Sequence, residues 1–123
     1  MRSKNEYSWK LETRIKEFAG SVVQFYCDLP DSDAVQMLDK QVLVSGTAVG
    51  SCYGEAVRSG SPVEFFSCLE RGLNELRETE YWLGLLSRSG AMPLNVTGQL
   101  VNEAQNLAGI FSDSLLVMSR HVA

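Results

Sequence analysis

Residues 11–30, LETRIKEFAGSVVQFYCDLP, decide the class of fold. Apolar side chains recur in this stretch at alternating steps of four and three residues, as they do on one face of an α-helix. Pro30 then marks the end of the helix, because proline cannot continue it. The stretch therefore predicts an amphipathic helix over about residues 8–29, whose apolar stripe consists of Leu11, Ile15, Phe18, Val22, Phe25 and Leu29.

Three further segments of the chain repeat this spacing, and turn residues separate them. The predicted stripe of the second segment consists of Leu38, Val42, Ser45, Val49, Cys52 and Ala56. That of the third consists of Phe65, Leu69, Gly72, Leu76, Thr79, Leu83 and Leu86, and that of the fourth of Val101, Ala104, Ala108, Phe111, Leu115 and Met118. Residues 61–64, Ser-Pro-Val-Glu, have the form of a capping box with proline at the first helical position. No segment alternates apolar and polar residues between hairpin turns, as a strand would. The patterns predict helices over about residues 8–29, 33–58, 62–88 and 94–121, with residues 1–7 frayed.

Four amphipathic helices joined by short connections pack as antiparallel neighbours. The sequence thus predicts a single all-α domain over residues 1–123, folded as an antiparallel up-down-up-down four-helix bundle. A core of this length buries enough surface to fold without a disulfide or a structural metal.

The composition excludes several classes of protein. The 123 residues are 45% hydrophobic and 21% charged, and the formal net charge is -4. No run of about 18 uncharged apolar residues is present, so a membrane span is not expected. The first ten residues, MRSKNEYSWK, lack the apolar segment of a secretory signal, so we expect a cytoplasmic protein.

The residues that carry most catalytic and metal chemistry are scarce. Cys27, Cys52 and Cys68 form no CxxC pair and fall within helical patterns, so we predict reduced, mostly buried thiols. His121 is the single histidine, expected at a solvated helix end. Zinc sites need three or four nitrogen or sulfur ligands, and di-iron bundles need two Glu-x-x-His pairs, so neither a metal nor a cofactor is expected. Cys52 has no general base and no phosphate-binding glycine loop is present, so the sequence does not indicate an enzyme.

The second helix contains an unusual stripe of glycines, Gly46, Gly50 and Gly54. Each interior glycine costs about 1 kcal/mol relative to alanine, so a compensating close approach of another helix is expected. That approach occurs either within the bundle or between subunits. In the same helix, Glu55 and Arg58 form either an intrahelical pair or a pair across a subunit boundary that fixes the register of an assembly.

The segment 81–86, YWLGLL, is unusual for its bulk. Six consecutive helical positions cover more than one turn, so these side chains cannot all face one core. Either the third helix is the most buried of the four, or some of these groups form an interaction surface. We predict the second arrangement, with Tyr81, Trp82 and Leu85 at an interface between copies of the chain.

Residues 41–65, QVLVSGTAVGSCYGEAVRSGSPVEF, resemble the signature of the bacterial four-helix bundle protein family. Its members are the proteins encoded by intervening sequences in large-subunit ribosomal RNA genes and their stand-alone relatives. Trp9-Lys10 and Tyr81-Trp82 are further landmarks of the resemblance. It implies a small cytosolic bundle that assembles into homopentameric rings and has no established catalytic activity. A more distant relative in fold is the accessory protein of diversity-generating retroelements, a basic pentamer that engages nucleic acid and a reverse transcriptase.

Basic residues are concentrated at the N-terminal end of the chain. Residues 1–16 contain five basic and two acidic side chains, whereas the remainder contains six basic and thirteen acidic ones. Repeated around a ring, this asymmetry would place a basic rim on an acidic body. Lys10, Arg14 and Lys16 are therefore candidate contacts to RNA or DNA. The alternative is a solvated helix start, because the pI of about 4.9 lies far below the value above 9 that is usual for nucleic-acid-binding domains.

Two functional hypotheses follow. The first is a non-enzymatic homo-oligomeric scaffold, for which the resemblance implies a pentameric ring. The second is an accessory nucleic-acid-binding subunit that serves a reverse transcriptase or an RNA-processing partner.

Overall fold

The computed structural model describes the backbone of residues 2–29, 32–90 and 92–122, and the side chains within these ranges from residue 9 to residue 120. It contains four α-helices: α1 (Arg2–Asp28), α2 (Asp33–Arg58), α3 (Pro62–Arg88) and α4 (Leu94–Val122). No strand occurs in these ranges. The predicted all-α four-helix fold is confirmed. The helix α1 begins at Arg2, earlier than the apolar stripe indicated, and so includes residues that we expected to be frayed.

The four helices form a bundle in which helices that follow each other in the sequence also pack side by side. The pair α2 and α3 packs most extensively, followed by α3 with α4 and α1 with α2. The contact between α1 and α4 is sparse, and within the described residues the backbones of the diagonal pairs do not approach each other closely. One long side of the bundle, between α1 and α4, is therefore comparatively open.

Contacts between α1 and α2 show that these helices run in opposite directions. Gly46 lies against Val22, whereas Gly50, later in α2, lies against Ile15, earlier in α1. The pair α2 and α3 is antiparallel in the same sense. Glu55, near the end of α2, contacts Arg71, and the earlier α2 residue Ser45 contacts Thr79, which lies later in α3. The helices α1 and α3 consequently run in the same direction.

The core confirms the stripes predicted for α1, α2 and α3 in most positions. All the predicted α1 residues except the half-buried Leu29 are buried. In α4 the predicted Ala104 and Phe111 are buried, whereas Leu100 and Leu107 take the places of their predicted neighbours Val101 and Ala108, which are half-buried. The α4 residues that enter the core are Thr97, Leu100, Ala104, Leu107 and Phe111.

The starts predicted for α2 and α3 coincide with N-caps in the structure. Ser32 accepts a hydrogen bond from the Val35 N–H at 3.2 Å, and Ser61 accepts one from the Glu64 N–H at 3.4 Å. Beyond α3, Gly90 adopts a positive φ of 77°, a backbone conformation that glycine accepts without steric cost. Pro30, the predicted stop of α1, lies outside the described residues. None of the described helices is both long enough and apolar enough to span a bilayer.

Candidate functional site

The glycine stripe of α2 makes its closest contact inside the bundle. A Cβ atom on Gly46 would lie 2.8 Å and 2.9 Å from the two γ-methyl carbons of Val22, which is closer than such atoms pack. At Gly50 a Cβ atom would lie 3.5 Å from Ile15, an ordinary contact. Gly54 instead lies beneath the side chain of Arg58, and a Cβ atom on Gly54 would be 3.1 Å from Arg58 Nη1. Of the three glycines in the stripe, Gly46 alone is thus required by close packing inside the bundle, and a subunit contact through the stripe stays a prediction.

Two substitutions in this stripe are expected to act in opposite directions. Gly46→Ala should lower the free energy of unfolding by about 1 kcal/mol, because Val22 is stiff and fully buried and the crowding exceeds the gain in helix propensity. Gly50→Ala should raise it by up to about 1 kcal/mol, because the new methyl group finds room. Urea denaturation followed by circular dichroism measures both. Equal effects of the two variants would contradict the assignment of the close approach to Gly46.

A second small residue, Gly72 in α3, escaped the sequence interpretation as a close-packing position. A Cβ atom there would lie 2.6 Å from Cε2 of Phe111 and 3.5 Å from Cβ of Cys52. The ring of Phe111 is fully buried and packs 6.1 Å, centroid to centroid, from the ring of Tyr53. Three helices therefore meet at Gly72.

Charged groups cluster where α2 ends and α3 begins. Arg71 Nη2 donates to Glu55 Oε2 at 2.8 Å and lies 3.2 Å from Cys68 Sγ. The hydrogen bond and the charge of Arg71 hold the pKa of Glu55 below its usual range. With Arg58 and other residues, this cluster borders an open groove of about 400 Å³. Glu55 thus has its close partner on α3, whereas the sequence indicated Arg58.

The three cysteines differ in burial. Cys52 and Cys68 are buried, as predicted, whereas Cys27 is exposed, and all three are free. Burial raises the pKa of the Cys52 thiol, which disfavours the nucleophilic thiolate. In the part of the chain that the structure describes, no group of histidine, cysteine and carboxylate side chains could hold a metal ion. The side chain of His121 lies outside the described residues.

Asp39 in α2 is a buried carboxyl group that the sequence interpretation did not single out. The residue is 2% exposed, and its Oδ1 atom has no hydrogen-bond partner. Loss of hydration raises its pKa from 3.8 to about 6, because burial disfavours the charged form. The carboxylate is thus a destabilising element of the fold at neutral pH.

The three candidate nucleic-acid contacts differ in their surroundings. Arg14 Nη2 forms an ion pair of 2.8 Å with Glu103 of α4. Lys16 pairs with Glu12 one turn earlier in α1, at 3.2 Å. Lys10 is exposed. Two of the three cations are therefore already partly neutralised by carboxylates of the same chain.

The residues predicted as an interface in segment 81–86 range from exposed to half-buried. Tyr81 is 59% exposed, and its ring meets that of Trp82 edge to face, with centroids 5.0 Å apart. Trp82 Nε1 donates to Glu78 Oε2 at 3.0 Å, which fixes the indole at the edge of the bundle. Leu85 is half-buried. The two remaining leucines of the segment face the core, so the structure divides the segment between core and surface.

The open side of the bundle forms a groove of about 420 Å³ between α1 and α4. Its floor contains the edges of Phe18, Phe25 and Leu100. Its rim contains Glu17 and Asp28. The described residues that line it include no basic side chain. The groove therefore combines an apolar floor with an acidic rim.

Comparisons with known proteins agree with this fold. The chain is similar to the crystal structure of a protein of unknown function from the S23 ribosomal protein family of Bacteroides thetaiotaomicron. The TM-score is 0.80 and the sequences are 28% identical over 85% of this chain and 97% of the other. No family model and no curated protein matches the sequence.

Proposed function

We propose that this protein is a non-enzymatic scaffold that assembles with copies of itself. The pair formed by the exposed Tyr81 and the half-buried Trp82 carries the proposal. Two large aromatic rings on the outside of a bundle expose apolar surface to water, and such rings are the most frequent anchors of protein interfaces. The indole is held in place by Glu78, so the surface is preformed for a partner.

The proposed assembly is a cytoplasmic homopentameric ring. The resemblance to the bacterial four-helix bundle protein family supports this number of subunits, and we propose that the chain belongs to that family. The similar Bacteroides protein, described only as of unknown function, adds no activity to the proposal.

An accessory role with nucleic acid is the second candidate. It is supported by the excess of basic residues in residues 1–16 and by the exposed Lys10. In a ring, five copies of this segment would lie together and would raise the local positive potential. The partner in this candidate is RNA or DNA, with a reverse transcriptase or an RNA-processing protein.

The native mass of the protein, measured at micromolar concentration with and without RNA, tests both candidates. We expect an assembly of the 13.6 kDa chain without RNA. Tyr81→Ser should weaken the assembly at least tenfold, because it removes an aromatic anchor. Val63→Ser, which changes an apolar residue that is 71% exposed in the same helix, is the control and should leave the mass unchanged. A monomeric wild-type protein would contradict the scaffold, and a salt-sensitive gain of RNA mass that Lys10→Glu removes would support the second candidate.

A further inference from the structure

The outer face of α3 carries two arginines on either side of the exposed tyrosine. Arg77, Tyr81 and Arg88 are all exposed, and their spacing of four and seven residues places them along one face of the helix. Neither arginine forms an ion pair with the described part of the chain. We call these three residues the α3 ridge. It presents an aromatic ring between two unpaired cations.

The groove between α1 and α4 has a matching pattern of opposite charge. Glu17 and Asp28 stand on its rim eleven residues apart, the same separation as Arg77 and Arg88. Eleven residues are about three helical turns, or roughly 16 Å, so each pair lies on one side of its helix. Between the two carboxylates the groove is lined by Ser21, Gln24 and the edge of Phe25, and Gln24 Nε2 donates to Asp28 Oδ1 at 2.9 Å on the exposed rim. A tyrosine ring between two cations is therefore complementary to this groove in both polarity and spacing.

The α3 ridge and the groove also agree in helix direction and in their position along the bundle axis. The helices α1 and α3 run the same way, so Arg77 and Arg88 follow the order of Glu17 and Asp28. Val22 lies against Gly46, and Thr79 contacts the adjacent α2 residue Ser45, so these two residues are nearly level along the bundle. Counting from them at 1.5 Å per residue, the ridge and the groove are offset by only about 6 Å. Subunits of a ring are related by rotation alone, so surfaces at similar heights can meet.

We propose that the α3 ridge of one copy seats in the α1–α4 groove of the next copy. Arg77 pairs with Glu17 and Arg88 with Asp28 of the neighbour, and Tyr81 covers the apolar floor between them. The contact joins two different surfaces, so a growing assembly keeps one free ridge at one end and one free groove at the other until a ring closes. This inference rests on the proposed self-assembly and names the surfaces that carry it.

Charge reversal tests the pairing. Arg77→Glu with Arg88→Glu, and separately Glu17→Arg with Asp28→Arg, should each reduce the native mass at micromolar concentration to the 13.6 kDa monomer. The variant that combines all four changes has an acidic ridge and a basic groove and should regain the wild-type mass. Lys40→Glu with Asp113→Arg changes exposed charges outside both surfaces and should keep the wild-type mass. Circular dichroism checks that every variant is helical.

A crosslink provides a second readout that does not depend on charge reversal. Gln24→Cys and Gly84→Cys, in a chain that also carries Cys27→Ser, should give a ladder of covalent oligomers on oxidation. Gln24 lines the groove, and Gly84 lies between Tyr81 and Arg88 on the ridge face with open space beside it, so the aromatic anchor is kept. The matched variant with Gln24→Cys and Lys40→Cys should give none. A wild-type oligomer whose mass survives both double reversals, or that yields no ladder, overturns the ridge and groove while leaving the scaffold standing. A wild-type monomer overturns both.

Discussion

Gly72→Ala is expected to lower the free energy of unfolding by about 2 kcal/mol, although alanine is the better helix former by about 1 kcal/mol. The new methyl carbon would lie 2.6 Å from Cε2 and 3.3 Å from Cδ2 of Phe111. The phenyl ring cannot move aside, because it is fully buried and also packs on Tyr53. Either the ring leaves its favoured rotamer or α3 and α4 separate, and both disrupt the centre of the core.

Denaturant unfolding measures this change, and the same helix offers a matched control. A Cβ atom on Gly84 would meet nothing within 4 Å, so Gly84→Ala should raise the stability by up to about 1 kcal/mol. The double variant Gly72→Ala with Phe111→Leu replaces the ring with a smaller side chain. It should lose less stability than the two single variants lose together, because the two residues occupy one space. Equal stabilities of the Gly72→Ala and Gly84→Ala proteins would show that the crowding at Gly72 is relieved without cost.

Asp39→Asn is expected to raise the free energy of unfolding at pH 7 by up to about 3 kcal/mol. Burial raises the pKa of Asp39 from 3.8 to about 6 in the folded protein. The folded state therefore holds this proton more tightly than the unfolded state does. Below pH 4 the group is protonated in both states, and the wild-type protein bears no penalty. Between pH 4 and pH 6 the wild-type protein loses stability as the pH rises, and above pH 6 the full penalty is present.

Asparagine cannot ionise, so the advantage of the variant should be small at pH 4, grow up to pH 6 and stay constant above it. Urea denaturation at several pH values measures the difference from the wild-type protein. Asp113→Asn, at an exposed position of α4, is the control and should show no such dependence on pH. A gain that is the same at pH 4 and pH 7 would mean that burial of the charge is not its cause.

The sequence predicts the bundle well because its signals are local. The apolar stripe of α1 recurs over six positions. The side chains of Ser32 and Ser61 cap the first turns of α2 and α3 by accepting hydrogen bonds from backbone N–H groups three residues later. In α4 the sequence is ambiguous, since Leu100 and Val101 are adjacent apolar residues. Either residue could belong to the stripe, and only packing against the other helices selects Leu100.

The details that sequence reasoning missed all depend on residues from another helix. The tight space at Gly72 is created by Phe111, thirty-nine residues later in the chain. The partner of Glu55 is Arg71 on α3, whereas periodicity within α2 offers only Arg58. The burial of Asp39 likewise follows from how the helices assemble. For the candidate site, the sequence indicates that the segment 81–86 has more large side chains than one core can hold. It does not indicate that Glu17 and Asp28 border a groove, because that groove forms only when α1 and α4 pack in the bundle.

The sparse packing between α1 and α4 also bears on how the folded chain opens. Helix α1 packs along α2 but meets α4 in few places, one of them the ion pair of Arg14 with Glu103. Detaching α1 would therefore disrupt less helix–helix packing than detaching any other helix. The α2–α3 hairpin would stay closed around Gly72 and Thr79. Local opening of this kind precedes proteolysis in many proteins. A neighbour that covers the open side would hold α1 in place, so assembly would lengthen the lifetime of each folded subunit.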